Sequence, residues 1–173
     1  MNNKLSIEEF RKYKEQLQKI IDDFKNNYEV MKNNPSYNET QEEEKSIAAY
    51  FKIEQELFSY DLSAIPYEEY QNLSIMATEQ EELDLQNSHA NIDFSLVEVF
   101  GHCNFKGCNL KNIEKVNDRI SPKYLDTDIF LKNKDLFLSS NFPEWFQEKW
   151  YYGDLSIEEV TKLDKPLIEE LII

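Results

Sequence analysis

Hydrophobic residues recur every seven positions at the start of the chain: Phe10, Leu17, Phe24 and Met31, with Tyr13 and Ile20 between them. That is an a/d stripe over about three heptads, the signature of an amphipathic helix with one apolar seam. Ser6-Ile7-Glu8-Glu9 stands at its start and has the form of a capping box. Asn26, Asn27, Asn33, Asn34 and Pro35 end it. After a polar loop, Asn34 to Gln41, a second helix is expected from about Glu42 to Tyr60. Its apolar residues Ile47, Tyr50, Phe51, Ile53, Leu57, Phe58 and Tyr60 cover a wider arc than a coiled-coil seam. Two long amphipathic helices with a short loop predict an antiparallel hairpin. The seam of the first helix can pair inside the hairpin or with a second copy of the chain, so a homo-oligomer through that helix stays open. Ser63-Ala64-Ile65-Pro66 opens a third, short helix with Pro66 at its first position. Tyr67, Tyr70 and Leu73 form its packing face.

Residues 74–90 read as a loop leading into short extended structure, with Leu83-Asp84-Leu85-Gln86 following the acidic run Glu79 to Glu82. Over residues 90–113 the helical period vanishes, and two of the three glycines, Gly101 and Gly107, fall here. Phe100, Phe105 and Leu110 are spaced by five, as are Cys103 and Cys108. Cys103-Asn104-Phe105, Cys108-Asn109-Leu110 and Ala90-Asn91-Ile92 share the order small, Asn, apolar. The stretch resembles a short run of pentapeptide repeats. The resemblance implies a square right-handed β-coil in which each unit forms one side, with the central apolar residue and the small residue two before it both pointing inwards. Carried over, Ile92, Phe105 and Leu110 are central positions, Phe100 is a weaker one, and Ala90, Cys103 and Cys108 are the small ones. Only two units are clean and the frame is lost between Val97 and Phe100, so the resemblance implies one or two coils held between helical segments.

The C-terminal third returns to helix signals. Ser121-Pro122 and Asp126-Thr127 are cap-like, Asn141-Phe142-Pro143 opens an aromatic helix, and Gly153 closes it. Ser156-Ile157-Glu158-Glu159 is a second capping box, and Asp164-Lys165-Pro166 starts a last helix.

Composition narrows the function classes. The 173 residues carry 34 acids and 19 bases, a net charge of −15. The charge is even: residues 1–80 are at −7 and residues 81–173 at −8. Such a surface argues against direct nucleic-acid binding, which needs clustered Lys and Arg, and against anionic membranes. Aromatics at 13% and hydrophobics at 40% argue against disorder. Three glycines in the whole chain, with no GxGxxG, P-loop or nucleophile elbow, leave the common nucleotide and hydrolase motifs absent. Two cysteines do not make a disulfide framework. With no apolar leader and no long apolar run, a reducing cytoplasm is the expected setting. Abundant Asn, Lys, Ile, Tyr and Phe suit an AT-rich genome, bacterial or phage.

Candidate chemistry is sparse. His89, His102, Cys103 and Cys108 are the soft ligands and lie within 20 residues, a composition that zinc accepts. Their spacing is unlike the common fingers, and the five-residue period accounts for both thiols as structural. No cofactor is expected. Trp145, Trp150, Tyr151 and Tyr152 are the residue types of interface hot spots, although helical spacing also suits a core. Glu42, Glu43 and Glu44 form an acidic run that serves either as a solvated face or as a contact for a basic partner.

Together these features predict a mainly α (α+β) protein: an N-terminal helical hairpin with a short helix over residues 1–73, a small pentapeptide-like β-coil element over 74–120, and a C-terminal short-helix cap over 121–173. The expected function is a non-enzymatic protein–protein interaction module. Its acidic surface would bind a basic protein partner, as an adaptor, immunity protein or inhibitor does. The alternative is a small enzyme or a zinc-stabilised domain using the His89, His102, Cys103 and Cys108 cluster.

Overall fold

A computed structural model describes residues 3–116 together with 120, 125, 126, 129 and 132. The first helix, α1, spans Ile7–Met31. Its capping box is formed in both directions: the Glu9 N–H donates to Ser6 Oγ at 3.2 Å, and the Ser6 N–H donates to the Glu9 carboxylate at 2.9 Å. The second helix, α2, spans Glu39–Leu57. It starts earlier than Glu42 because the Asn38 side chain accepts the Gln41 N–H at 3.1 Å and caps the first turn. Tyr13 meets Glu56 and Tyr60, whereas Tyr28 meets Tyr37, so the two helices run antiparallel.

Burial along the hairpin is graded. Phe10 and Leu17 of α1, and Tyr50, Phe51, Glu54 and Leu57 of α2, are its buried residues. All lie in the half of the hairpin away from its loop. Towards the loop Phe24 and Met31 are only half-buried, and Val30 is 80% exposed. The heptad stripe is thus continuous in sequence but covered only where a second layer meets it. Phe10 packs edge-on against Tyr70 of the 3₁₀ turn Tyr67–Tyr70, ring centroids 4.7 Å apart.

That second layer consists of six short strands: β1 (Ser74–Met76), β2 (Leu83–Asp84), β3 (Asn91–Asp93), β4 (Glu98–Phe100), β5 (Cys103–Asn104) and β6 (Asn109–Lys111). All pairings are parallel, β1 with β4, β2 with β5 and β3 with β6. The chain therefore passes twice through the same three-strand order, with the second pass laid along the first. Residues 74–90, expected as a loop leading into short extended structure, hold β2 at Leu83–Asp84 and also β1 at Ser74–Met76, where loop was expected. The three pairs are set in register by Ser74 with Glu98, Leu83 with Cys103 and Asn91 with Asn109. The same local turn recurs after three strands. Asp84, Asp93 and Asn104 each accept the N–H two residues on, from Gln86, Ser95 and Lys106, at 2.9, 2.9 and 3.1 Å.

Ile75, Leu83, Leu85, Ala90, Ile92, Phe94, Val99, Cys103, Phe105 and Cys108 are buried and join the helices in one continuous core. Phe94 and Phe105 meet edge-to-face at 5.2 Å. Phe100 departs from the inward position, a weaker one, that the pentapeptide-repeat resemblance implies for it. It is 46% exposed, and Val99 is buried in its place. Successive residues of a strand point to opposite faces, so the loss of frame after Val97 exchanges the two.

The described part is α+β. Among the described residues no helix is long and apolar enough to cross a membrane. The helices expected over residues 121–173 lie outside the described residues, apart from Leu125, Asp126, Ile129 and Lys132. So do Trp145, Trp150, Tyr151 and Tyr152.

Candidate functional site

Thr40, Glu43, Glu44, Ile47 and Ala48 fall at i, i+3, i+4, i+7 and i+8 of α2 and share one helix face. Facing it is the corner between β1 and β2. That corner runs over residues 77–82, whereas the matching corner of the second pass has only residues 101–102. The surplus chain rises beside α2 and closes a cleft of about 490 Å³ with Ala77, Thr78, Glu79 and Gln80 as its second wall. The Glu81 N–H donates to Thr78 Oγ1 at 2.8 Å, a turn that bends the corner back towards β2. Glu43, Glu44 and Glu79 are exposed, and Ile47 and Ala77 are half-buried beneath them. The residues lining the cleft include no Lys, Arg or His.

Three carboxylates around an apolar base form a specific chemical arrangement. Low-dielectric walls lined by one sign of charge concentrate the field and attract cations. A lysine or arginine combines an aliphatic stem with a charged head, so it can lay the first on Ile47 and Ala77 and present the second to the acids. A smaller cleft of about 300 Å³ lies beside α1 at Leu17, Tyr50 and Ser74. The lysine in its lining, Lys14, already donates to the carbonyls of Glu69 and Gln71 at 2.6 and 3.3 Å.

The structure divides the run Glu42-Glu43-Glu44. Glu43 and Glu44 face the cleft, whereas Glu42 is half-buried and accepts from the Lys45 ammonium at 3.1 Å. The four soft ligands are not brought together either. Cys103 and Cys108 point into the core, and His89 and His102 are exposed. The Cys108 thiol donates to the Leu85 carbonyl at 3.5 Å, and the Cys103 thiol donates to that of Phe100 at 3.6 Å. Burial pushes Cys108 up to about 12 and Cys103 higher still, so both stay as thiols. His89 adopts a left-handed backbone, φ 50°, with Nδ1 3.3 Å from the Gly107 carbonyl. Among the described residues no three His, Cys, Asp or Glu side chains gather as metal ligands.

Sequence reasoning missed Thr40, Thr78, Glu79 and Gln80 as partners of Glu43 and Glu44. The helical spacing of Thr40 to Ala48 was a legible signal. The approach of residues 77–80 was not, because it follows from pairing between β1 and β4. No protein-family model matches the chain, and neither a curated protein nor a solved structure matches it.

Proposed function

We propose that the chain is a non-enzymatic interaction module that receives a basic segment of a partner protein in the cleft between α2 and the β1–β2 corner. The observation that carries this reading is the convergence of Glu43, Glu44 and Glu79 over the apolar base of Ile47 and Ala77. The net charge of −15 supports it at longer range, since complementary fields raise association rates and select partners. Adaptor, immunity and inhibitor roles in a bacterial or phage cytoplasm share this physics. Neither nucleic acid nor an anionic membrane is a fitting direct ligand for such a surface.

In the same reading the strand layer is a short pentapeptide-type β-coil, capped by C-terminal helices. Parallel pairing of each strand with the one three before it supports the coil, as do the repeated turns at Asp84, Asp93 and Asn104. The coil acts as a frame that fixes where the β1–β2 corner stands.

The test is a peptide array of Lys- and Arg-containing sequences, probed with the parent chain and with the Glu43→Gln, Glu44→Gln, Glu79→Gln triple variant. The parent should retain a subset of basic peptides. The triple variant should associate with them about tenfold more slowly at low salt, with the difference shrinking as salt screens the charges. Equal binding by both proteins, or no preference for basic over neutral peptides, refutes the reading.

A further inference from the structure

We propose that Glu54 is a proton-linked latch: it docks α2 on the strand layer while its carboxyl carries a proton and loosens that contact when the carboxyl ionises. Glu54 lies on α2 at the contact with β1 and has no solvent exposure. One of its oxygens accepts the Met76 N–H at 2.8 Å. The other, Oε2, is buried without a hydrogen-bond partner. One turn earlier on the same helix, the Tyr50 hydroxyl donates to the Ser74 carbonyl, so two α2 side chains grip β1 at both its ends.

The surroundings favour the neutral acid. Among the described residues, Tyr50 on α2 and the Cys103 thiol on β5 are titratable side chains that feel Glu54. Glu82, at the end of the β1–β2 corner, acts on the same thiol and adds negative charge. Neither α1 nor any strand supplies a cation that acts on Glu54 among the described residues. Burial therefore holds its carboxyl well above the ordinary carboxylate range, and the single Met76 hydrogen bond opposes this only in part. A buried carboxylate with one backbone donor and no counter-ion must find water, and the route to water is the opening of the α2–β1 contact.

The sign follows by linkage. The folded state binds the Glu54 proton more tightly than the unfolded state does. The latch is therefore complete below the unfolded carboxyl's ordinary value, and its contribution is lost as pH rises through the raised folded value. Met76 directly precedes the cleft wall Ala77 to Gln80, and Glu54 shares its helix with the other wall. Release of the latch alters the spacing of the two walls, whatever the cleft binds.

The experiment compares the full chain with Glu54→Gln between about pH 5 and pH 8. Glutamine keeps the carbonyl acceptor for Met76 and cannot ionise. The readouts are thermal midpoint and hydrogen exchange at the Met76 amide, neither of which needs a partner. In the parent, the midpoint should fall with rising pH and Met76 protection should drop by up to about tenfold per pH unit above the folded-state value, after correction for intrinsic exchange. Glu54→Gln should show neither change. Every other ionisable group is common to the two proteins, so the difference between their profiles isolates Glu54. Identical pH profiles overturn the latch. Should the variant fail to fold, infrared spectroscopy of the parent decides: a protonated-carboxyl band persisting after the ordinary acids have ionised supports it, and its absence overturns it.

Discussion

Gly107 sits where the corner after β5 lies against the turn after β2, and replacing it with alanine measures how tightly the two passes are laid together. Its φ is +75°, a left-handed conformation that costs an L-residue about 1–2 kcal/mol. An added Cβ would stand 2.6 Å from the Gln86 carbonyl oxygen and 3.9 Å from His89 Nδ1. The first of these is a backbone atom in the turn after β2, which Asp84 fixes, so it cannot move aside as a long side chain can. Relieving such an overlap costs a further ~1–3 kcal/mol. The expected loss for Gly107→Ala is therefore about 2–5 kcal/mol, a large part of a small domain's whole stability. Gly101 is the internal control: its φ is +74°, but an added Cβ there meets the Ala77 Cβ at 3.0 Å and the Ala77 carbonyl oxygen at 3.1 Å, a milder overlap. Urea unfolding followed by far-UV circular dichroism gives both values on one scale. Gly107→Ala should lower the midpoint more than Gly101→Ala. If the two variants lose the same amount, the passes are not in the close register described, and the argument from the Gln86 carbonyl fails.

Two further outcomes follow from the core. Phe105→Ala removes a fully buried ring stacked edge-on against Phe94 and should cost ~3–5 kcal/mol in the same urea assay, whereas Phe100→Ala should leave the midpoint nearly unchanged. Cys103 and Cys108 should resist alkylation at about pH 8 in the native state and label together when urea unfolds the chain, because burial keeps both as thiols; rapid native labelling of either would contradict their placement.

The helices were legible because their signals are local. Ser6 and Glu9 lie three residues apart, and the stripe from Phe10 to Met31 repeats within one element. The start of α2 shifted for an equally local reason, since Asn38 looked like loop composition and serves as a cap. The strands were only half legible. The second pass has cysteines and glycines to mark its period, and the first pass has neither. Ile75 and Leu83 gain meaning only when set beside Val99 and Cys103, which are 24 and 20 residues further on. Phe100 fitted a count of five and failed a count of two, which is the rule that operates inside a strand. Glu54 was invisible for another reason. It interrupts the apolar face of α2 as a surface glutamate would, and its partner is a backbone N–H, a group every non-proline residue has.

The unequal corners have a consequence for how this molecule can change. Strand register depends on β1 to β6, on the Ala77 N–H that donates to the Phe100 carbonyl at 2.8 Å, and on turns at Asp84, Asp93 and Asn104, none of which uses residues 78–82. Loop closure grows only slowly in cost with loop length, so that corner can lengthen, shorten or exchange its acids while the scaffold beneath stays in register. In the proposed reading, one wall of the cleft, residues 78–80, can vary apart from the strand scaffold, while Glu43 and Glu44 belong to α2. A library confined to residues 78–82 would test whether that wall can change without renegotiating the fold.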